Sequence, residues 1–424
     1  MRFSRFNYEV QTEDGDFIVC NSLTGAVCKL SECEYENVKL KLGDEDVPDE
    51  NIKKLFSMGI LVDGKLNEIQ RCQFLLNSVL YKGDNLHLII MPTENCNCRC
   101  TYCYESFEKG RMSDETINRV KLFIEKQAPY LKKLSINWFG GEPLMGMKVI
   151  EEITSTIFEQ RDLHKFVYSS NITTNGVLLD QNYFDRLLNL EIKDIQFTLD
   201  GYGEEHDKRK KLKGGGGTFE TIFANLKNIA KSTEDFFITI RINCDKGNIE
   251  SIKTLLGELK SLFYGDKRFG IFFRATNNFG GENELSNFDL LGPNNIPQEF
   301  EDYLSIENNQ SNLGIPKLAS QVCYAALPNG YVVGSDAALY KCTVHLNETK
   351  NKVGIISKEG ELKLYVDKVS EWICAENMNE ECLKCFLYPS CNGKACPVHA
   401  VLWSKTQCTQ FKTSFYDVLK KYHF

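Results

Sequence analysis

No stretch of this chain approaches the roughly 18 consecutive apolar residues of a membrane-spanning helix. The first residues, MRFSRFNYEVQTEDGD, lack the apolar h-region of a secretory signal. Positive charge is also in deficit: 50 Lys and Arg against 58 Asp and Glu leave a net charge of −8. An acidic surface repels phosphate backbones, so nucleic acid is a poor partner. No G-K-[ST] follows the glycines of KRKKLKGGGG (208–217), so this run is not a phosphate loop. It reads as a solvated surface loop, with a lid over an acidic peptide as the sharper alternative. No internal repeat of solenoid period is present. What the chain does have is 424 residues of 42% apolar content, ample for buried cores and two or three domains. The expectation is a soluble cytoplasmic protein with neither membrane nor nucleic-acid partner.

Cysteine dominates the composition. There are 17, an odd number, in a long chain without an export signal. Disulfides do not persist in a reducing compartment, so clustered cysteines there indicate metal or redox chemistry. Cys20, Cys28, Cys33 and Cys72 are scattered, and Cys244 stands alone; these read as small buried hydrophobes. Cys96, Cys98, Cys100 and Cys103 sit together, and eight more run from Cys323 to Cys408.

Residues 1–80 read as a small separate α+β unit of winged-helix-like shape. FNYEV and DFIVCNS have strand character around the turn residues Asp14, Gly15 and Asp16. One helix begins near Ser31, and a second opens at Pro48-Asp49, keeps Ile52, Leu55 and Phe56 at helical spacing, and stops at Gly59. From about residue 85 strands and helices alternate. LHLIIM, LSINWF, FVYSSNITT, IQFTLD, FFITIRIN and IFFRA are strands, each of the first five followed by a helix. Six strands in such alternation predict an α/β fold: a parallel sheet of right-handed βα units, a partial (β/α)6 barrel. The expected division is 1–80, a barrel over 81–280, a connecting segment over 281–319, and a cysteine-rich domain over 320–424 that ends in the helix QFKTSFYDVLKKY.

MPTENCNCRCTYCYE follows the first barrel strand, the end at which parallel-barrel chemistry is located. Cys96, Cys100 and Cys103 have the spacing C-x3-C-x2-C. Three thiolates on a short loop can hold three irons of a [4Fe–4S] cube and leave the fourth open to an outside ligand. A zinc site fits poorly, because zinc usually takes four ligands and no histidine is nearby. The segment closely resembles the radical S-adenosylmethionine superfamily. The resemblance implies that Cys96, Cys100 and Cys103 are the cluster ligands and Cys98 a bystander. The open iron would bind the cofactor's methionine moiety, and an electron from the cluster would release a 5′-deoxyadenosyl radical. Tyr102 would lie near the adenine. Three further segments match in order at successive strand ends: Gly140-Gly141-Glu142-Pro143, Thr173-Thr174-Asn175-Gly176 and Thr198-Leu199-Asp200-Gly201. Arg241 and Asn243 follow on the fifth strand. The glycines would let backbone approach a ligand closely, and Glu142 would accept from the cofactor's ammonium. Thr174, Asn175 and Thr198 are implied near the ribose or methionine part, with Arg241 also at the cofactor.

The late cysteines resemble the SPASM domain of radical enzymes that mature peptides and proteins, over about residues 320–410. The resemblance implies two auxiliary [4Fe–4S] clusters, three clusters in all. Cys382, Cys385, Cys391 and Cys408 would hold one; Cys323, Cys342 and Cys396 would hold the other. Two departures stand out: Ala337 replaces the glycine of G-x4-C, and an extra residue between Cys391 and Cys396 requires the loop to bulge. Related enzymes often carry a cysteine six residues after the first, where this chain has Asn329, so the second set is either open or closed by Cys374. C-x2-C-x5-C taken alone also resembles a zinc knuckle.

The N-terminal unit, with NSLTGAVCKLS before a helix and MGILVD after the next, more loosely resembles the leader-binding recognition element of ribosomal-peptide maturases. Such an element would add a leader peptide as an extra strand along an exposed sheet edge; a plain packing domain is the alternative. The whole implies an enzyme that acts on a precursor peptide with a leader, draws electrons from a reductant such as flavodoxin or ferredoxin, and installs a thioether. A carbon–carbon crosslink is the close alternative. Sulfatase-maturase-like oxidation ranks lower, since those enzymes carry an aspartate base directly after the second auxiliary cysteine, where Thr343 stands here. No catalytic base is assigned. A non-catalytic zinc scaffold is the remaining alternative.

Overall fold

The computed structural model describes residues 1–42, 50–276, 291, 300, 315–374, 380–405, 407–409, 412, 415 and 419. The expected connecting segment and the terminal helix QFKTSFYDVLKKY lie almost wholly outside these. Contacts divide the chain into two units: residues 1–82, 312–328 and 370–424, and residues 83–311 and 329–369.

In the first unit, a short strand β1 (Arg2–Phe3) precedes an antiparallel meander of β2 (Asn7–Gln11), β3 (Phe17–Asn21) and β4 (Ala26–Leu30). Gly15, at φ +91°, supplies the left-handed residue of the β2–β3 turn. Helix α1 (Glu32–Lys41) starts on a capping box: the Ser31 hydroxyl accepts from Glu34 N–H, and Glu34 accepts from Ser31 N–H. Helix α2 (Glu50–Ser57) buries Ile52 and Leu55, but Phe56 is 47% exposed. The proposed start of α2 at Pro48-Asp49 lies outside the described residues. Gly59 at φ +76° ends the helical turn, and β5 (Leu61–Val62) pairs with β1. The sequence reading assigned no helix after β5, yet α3 (Glu68–Leu80) follows, capped by Asn67. Its buried residues Cys72, Leu76 and Leu80 recur every fourth position. They pack with Phe6 and Tyr388, while Ile18 and Cys20 pack with Leu387, Phe415 and Leu419. Residues 1–82 therefore share cores with the late cysteine segment, because one sheet face and three helices leave apolar surface that the C-terminal residues cover.

The second unit is built on one sheet. Parallel strands β6 (Asn85–Ile90), β8 (Lys133–Trp138), β9 (Val167–Thr174), β10 (Asp194–Thr198), β12 (Phe237–Cys244) and β13 (Phe269–Ala275) lie in sequence order. Helices α4 (Asp114–Gln127), α5 (Met147–His164), α6 (Gln181–Asn189), α7 (Glu204–Arg209), α8 (Phe219–Ile229) and α9 (Ile249–Phe263) connect them. This is the expected open (β/α)6 arrangement. Two short strands sit apart from it: β7 (Cys98–Cys100), in the loop after β6, pairs antiparallel with β11 (Lys210–Leu212). On the far side of β6 the sheet continues through β14 (Gly330–Val333), parallel to β6, then antiparallel β15 (Ala338–Tyr340), β16 (Lys352–Ile356) and β17 (Leu362–Leu364). Residues 329–369 thus group with the barrel and not with a domain beginning at 320. β14 takes up the backbone groups that an uncovered β6 edge would expose. Ala337 turns β14 into β15 at φ +63°, fully buried. The glycine expected there is explained by this left-handed conformation, and alanine tolerates it at roughly 1 kcal/mol.

Candidate active site and cysteine centres

The first cysteine loop leaves β6 through Met91 and Pro92 and is pinned by the end of β8. Gly141 N–H donates to Thr93 O (3.2 Å) and Glu142 N–H to Asn95 O (2.9 Å). Gly140, at φ +115°, and Gly141 approach this loop so closely that an added Cβ would lie 2.3 Å from Thr93 O or 2.4 Å from Asn95 O. The close approach expected for these glycines is therefore to the chain's own cysteine loop.

Glu142 is likewise engaged by the protein itself. It is fully buried and turned inward: Oε1 accepts from Leu144 N–H (2.9 Å) and the Thr174 hydroxyl (2.7 Å), and Oε2 accepts from Asn175 N–H (2.7 Å). Burial pushes its pKa upward while these donors and Lys210 oppose the shift. A carboxylate so engaged fastens the end of β9 to the end of β8. Asn175 carries the chain of contacts onward. Its amide donates to Asn97 Oδ1 (2.6 Å) and toward Cys96 Sγ (3.6 Å). The Cys96 thiol is lowered by a Cys98 S–H contact first, with the Asn175 amide adding to it. Cys98 is raised by the same contact and by burial, and it is 1% exposed. Burial also pushes Cys100 up to about 12 and Cys103 up to about 11. A turn from Cys103 N–H to Cys100 O (3.1 Å) holds that pair close. Metal binding at these positions would draw the thiols as thiolates and release their protons.

Tyr102 donates from its hydroxyl to Asp200 Oδ2. Asp200 is fully buried, and its Oδ1 accepts from Asn243 N–H (3.0 Å). Its backbone is held twice more: its N–H donates to His206 Nδ1 (3.0 Å), and its carbonyl accepts from Asn248 Nδ2 (2.9 Å). Arg241 Nε donates to Asn243 Oδ1 (2.9 Å), and Thr198 lies level with Arg241 across β10 and β12. Tyr102, Thr174, Asn175, Thr198 and Arg241 thus stand at strand ends or in the loop they support. Asp200, His206 and Asn248 were not singled out. Asp200 was visible in Thr-Leu-Asp-Gly; His206 gave no signal within a charged run. Within the basic run most residues are exposed as expected, but Arg209 and Lys210 are buried at 8% and 2% exposure.

In the first unit, Cys382, Cys385, Cys391 and Cys408 line one cavity of about 160 Å³, together with Leu387 and Tyr388. Burial pushes Cys391 up to about 12. The extra residue after Cys391 is absorbed by consecutive left-handed positions, Asn392 at φ +48° and Gly393 at φ +66°, closed by Lys394 N–H to Cys391 O (2.7 Å). Cys323 N–H donates to Lys394 O (3.0 Å), two residues before Cys396. Cys374 is exposed. Cys342 belongs to the second unit, where buried Asn351 clamps its backbone: Cys342 N–H donates to Asn351 Oδ1 and its carbonyl accepts from Asn351 Nδ2, each at 2.8 Å. Among the described residues no three His, Cys, Asp or Glu side chains converge as ligands of a single metal ion. Ligands of a four-iron cube need not converge, because each binds a different corner. All-thiol donor sets of this kind fit iron–sulfur clusters. Of the scattered cysteines, Cys20, Cys72 and Cys244 are buried as expected, whereas Cys33 is exposed.

Residues 90–256 match the family described as the Radical SAM superfamily. These residues carry a radical SAM domain. It is 24% identical over 343 residues to a cysteine-type anaerobic sulfatase-maturating enzyme of Clostridium novyi, covering 73% of this chain and 87% of that protein. It is 23% identical over 308 residues to the radical SAM cyclopropyl synthase TigE of Paramaledivibacter caminithermalis, covering 62% of this chain and 64% of that one. The chain spans only 46% and 38% of the length of two further curated relatives. Native anSMEcpe with bound AdoMet superposes with a TM-score of 0.57 at 19% identity, over 79% of this chain and 98% of that one, and shows the shared fold. No helix among the described residues is long and apolar enough to cross a membrane.

Proposed function

We propose that this radical SAM enzyme matures a ribosomally made precursor peptide, installing a thioether between a substrate cysteine and a carbon of another residue. The observation that carries the reading is the gathering of Cys382, Cys385, Cys391 and Cys408 around one cavity, in addition to the Cys96–Cys100–Cys103 loop. The chain thus has more thiol sites than its cofactor requires, as an enzyme with auxiliary [4Fe–4S] clusters would. The SPASM-like pattern implies a further set in Cys323, Cys342 and Cys396, with Asn329 where a fourth thiolate is expected, and an open iron in such a set would suit capture of a substrate thiol. When bound, S-adenosylmethionine and the first cluster supply one-electron, hydrogen-abstracting chemistry. The chain's part is to hold Cys96 through Asn175 and Glu142, to fix Tyr102 on Asp200, and to bind the peptide. The meander β2–β3–β4 with α1–α3 suits leader recognition, β4 offering an edge for an added strand. A cytoplasmic setting, with a flavodoxin or ferredoxin as electron donor, suits a chain of 17 cysteines.

A carbon–carbon crosslink is the second reading, favoured by the relative described as a cyclopropyl synthase. Sulfatase-type oxidation is favoured by the Clostridium novyi relative, but Thr343 stands where those enzymes carry their base. The test is anaerobic turnover of the reconstituted enzyme with a cysteine-containing precursor peptide, followed by mass spectrometry. A product two hydrogens lighter with one thiol fewer open to alkylation supports the thioether; the same mass loss with every thiol intact supports the carbon–carbon bond; an aldehyde on a sulfatase peptide overturns both. Cys374→Ala should keep full iron content and crosslinking. Loss of one cluster's iron in that variant would mean a closed site and would remove the thioether's main support.

A further inference from the structure

Lys210 is 2% exposed, yet it sits in a run whose composition suggests solvated surface. It opens β11 directly across from Cys100 on β7. Its ammonium donates to Thr198 O at 2.9 Å, at the end of β10. The neighbouring cation, Arg209, is committed elsewhere, to Glu205 and to Asp245 Oδ1 (2.8 Å). The field of Lys210 reaches the fully buried carboxylate of Glu142 and the thiols of Cys98 and Cys100, as well as the buried imidazole of His206. A buried cation without a compensating anion is costly. Its single hydrogen bond to a carbonyl does not account for a full charge held at this place. The β7–β11 ribbon delivers that charge to the cysteine loop whatever the surrounding solvent does, since burial protects it from ionic screening.

We propose that Lys210 is the fixed counter-charge of the Cys96–Cys100–Cys103 iron–sulfur site, raising its reduction potential so that the electron needed for cofactor cleavage can be placed there. The inference rests on the reading that this triad holds a [4Fe–4S] cluster. One-electron reduction makes the site one charge more negative, and a cation fixed nearby in a low-dielectric interior favours the reduced form. Lys210 ligates nothing and touches no reacting atom; it is a positioning residue that acts through the field and through the ribbon it anchors.

The experiment compares wild type with K210M, K210R and K211M, each reconstituted anaerobically. Lys211 is the next residue on the same strand and is exposed, so its charge is screened. Iron and sulfide content are measured first. Midpoint potentials then come from a redox titration followed by electron paramagnetic resonance, with the first cluster's signal identified by its change on adding S-adenosylmethionine. K210M is expected to keep its cluster but to hold at least tenfold less reduced form at a fixed potential, a shift of about 59 mV for one electron. K211M should match wild type. A K210M cluster at the wild-type potential overturns the inference. If K210M fails to assemble its cluster, K210R decides: assembly with a near-wild-type potential supports the charge, and equal failure shows a steric role and overturns it. A wild-type protein with no cluster signal that responds to S-adenosylmethionine would instead overturn the reading on which the inference rests.

Discussion

Gly141→Ala should disable the first cysteine centre without touching a cysteine. Gly141 has no left-handed backbone requirement, so its substitution is a test of space alone. An alanine Cβ there would stand 2.4 Å from Asn95 O, 2.6 Å from Asn95 C and 2.6 Å from Glu94 O. All three are backbone atoms, and none can swing aside as a side-chain tip would. Restoring ordinary van der Waals contact at 3.4 Å requires a displacement of about 1.0 Å between the end of β8 and the loop. The residue forced to move is the immediate neighbour of Cys96. Overpacking of this kind costs about 1–3 kcal/mol, a fraction of the roughly 5–15 kcal/mol of a typical fold, so the variant should remain folded. Function should suffer more than stability, because an ångström of misplacement at a reacting centre can cost about 100-fold in rate. Gly140→Ala should be worse: its contact is 2.3 Å, and φ +115° adds backbone strain. Gly214→Ala is the control, with nothing within 4 Å of its added Cβ. The assay pairs iron and sulfide content after anaerobic reconstitution with 5′-deoxyadenosine release under reduction, and thermal melts check folding. A Gly141→Ala protein with full iron content and wild-type cofactor cleavage would refute the reasoning.

Two other outcomes are expected. Burial pushes the Glu105 carboxyl up to about 8, with Glu94 and Cys96 adding to the effect. A raised acid favours the folded state fully below its unfolded value near 4.5, and that stability is lost as pH rises through 8, at about 1.4 kcal/mol per unit. Melting of the cluster-free protein should therefore weaken between pH 5 and 8 more steeply in wild type than in Glu105→Gln; parallel profiles would refute the assignment. Successive N–H groups along β4 point alternately into and out of the sheet, so prolines at Val27 and at Cys28 separate fold from edge. The one that leaves the melting temperature nearer wild type should abolish precursor-peptide binding by fluorescence anisotropy, and unchanged affinity in that variant would exclude β4 as the docking edge.

The alternation of strands and helices from Leu86 to Ala275 was legible because each element carries its own period and its own ends, as where Ser113 and Asp180 cap α4 and α6. The grouping of Cys382, Cys385 and Cys391 was legible for a similar reason, since short spacings survive any tertiary arrangement. What escaped depended on partners far along the chain. Residues 329–369 look like the start of a cysteine-rich domain until β14 is seen paired with β6, some 240 positions earlier. Helix α3 was overlooked although Cys72, Leu76 and Leu80 keep its period, because polar residues between them mask the stripe. KRKK reads as solvent-exposed by composition, and only pairing with β7 buries its third member.

The motif residues at the strand ends carry a related lesson about what a pattern encodes. Gly140, Gly141, Glu142 and Asn175 were read as surfaces for a cofactor. The structure also joins them in a clamp: the glycines admit the loop at Thr93 and Asn95, Glu142 ties β8 to Thr174 and Asn175, and Asn175 reaches Asn97 and Cys96. Each contact is short-ranged and satisfied within the protein, so the geometry of the first cysteine is set before any ligand arrives. That preorganisation makes such different residue types depend on one another, since removing any one leaves a buried donor, acceptor or void that the others cannot fill. It also divides the labour around the centre. The β8 and β9 ends fix Cys96 by hydrogen bonds and close packing, whereas the β10 end holds Tyr102 through Asp200 and meets Cys100 through Lys210 and the β7–β11 ribbon. Damage to the first set should therefore show as lost iron, and damage to the second as altered cofactor affinity or potential with the iron still in place.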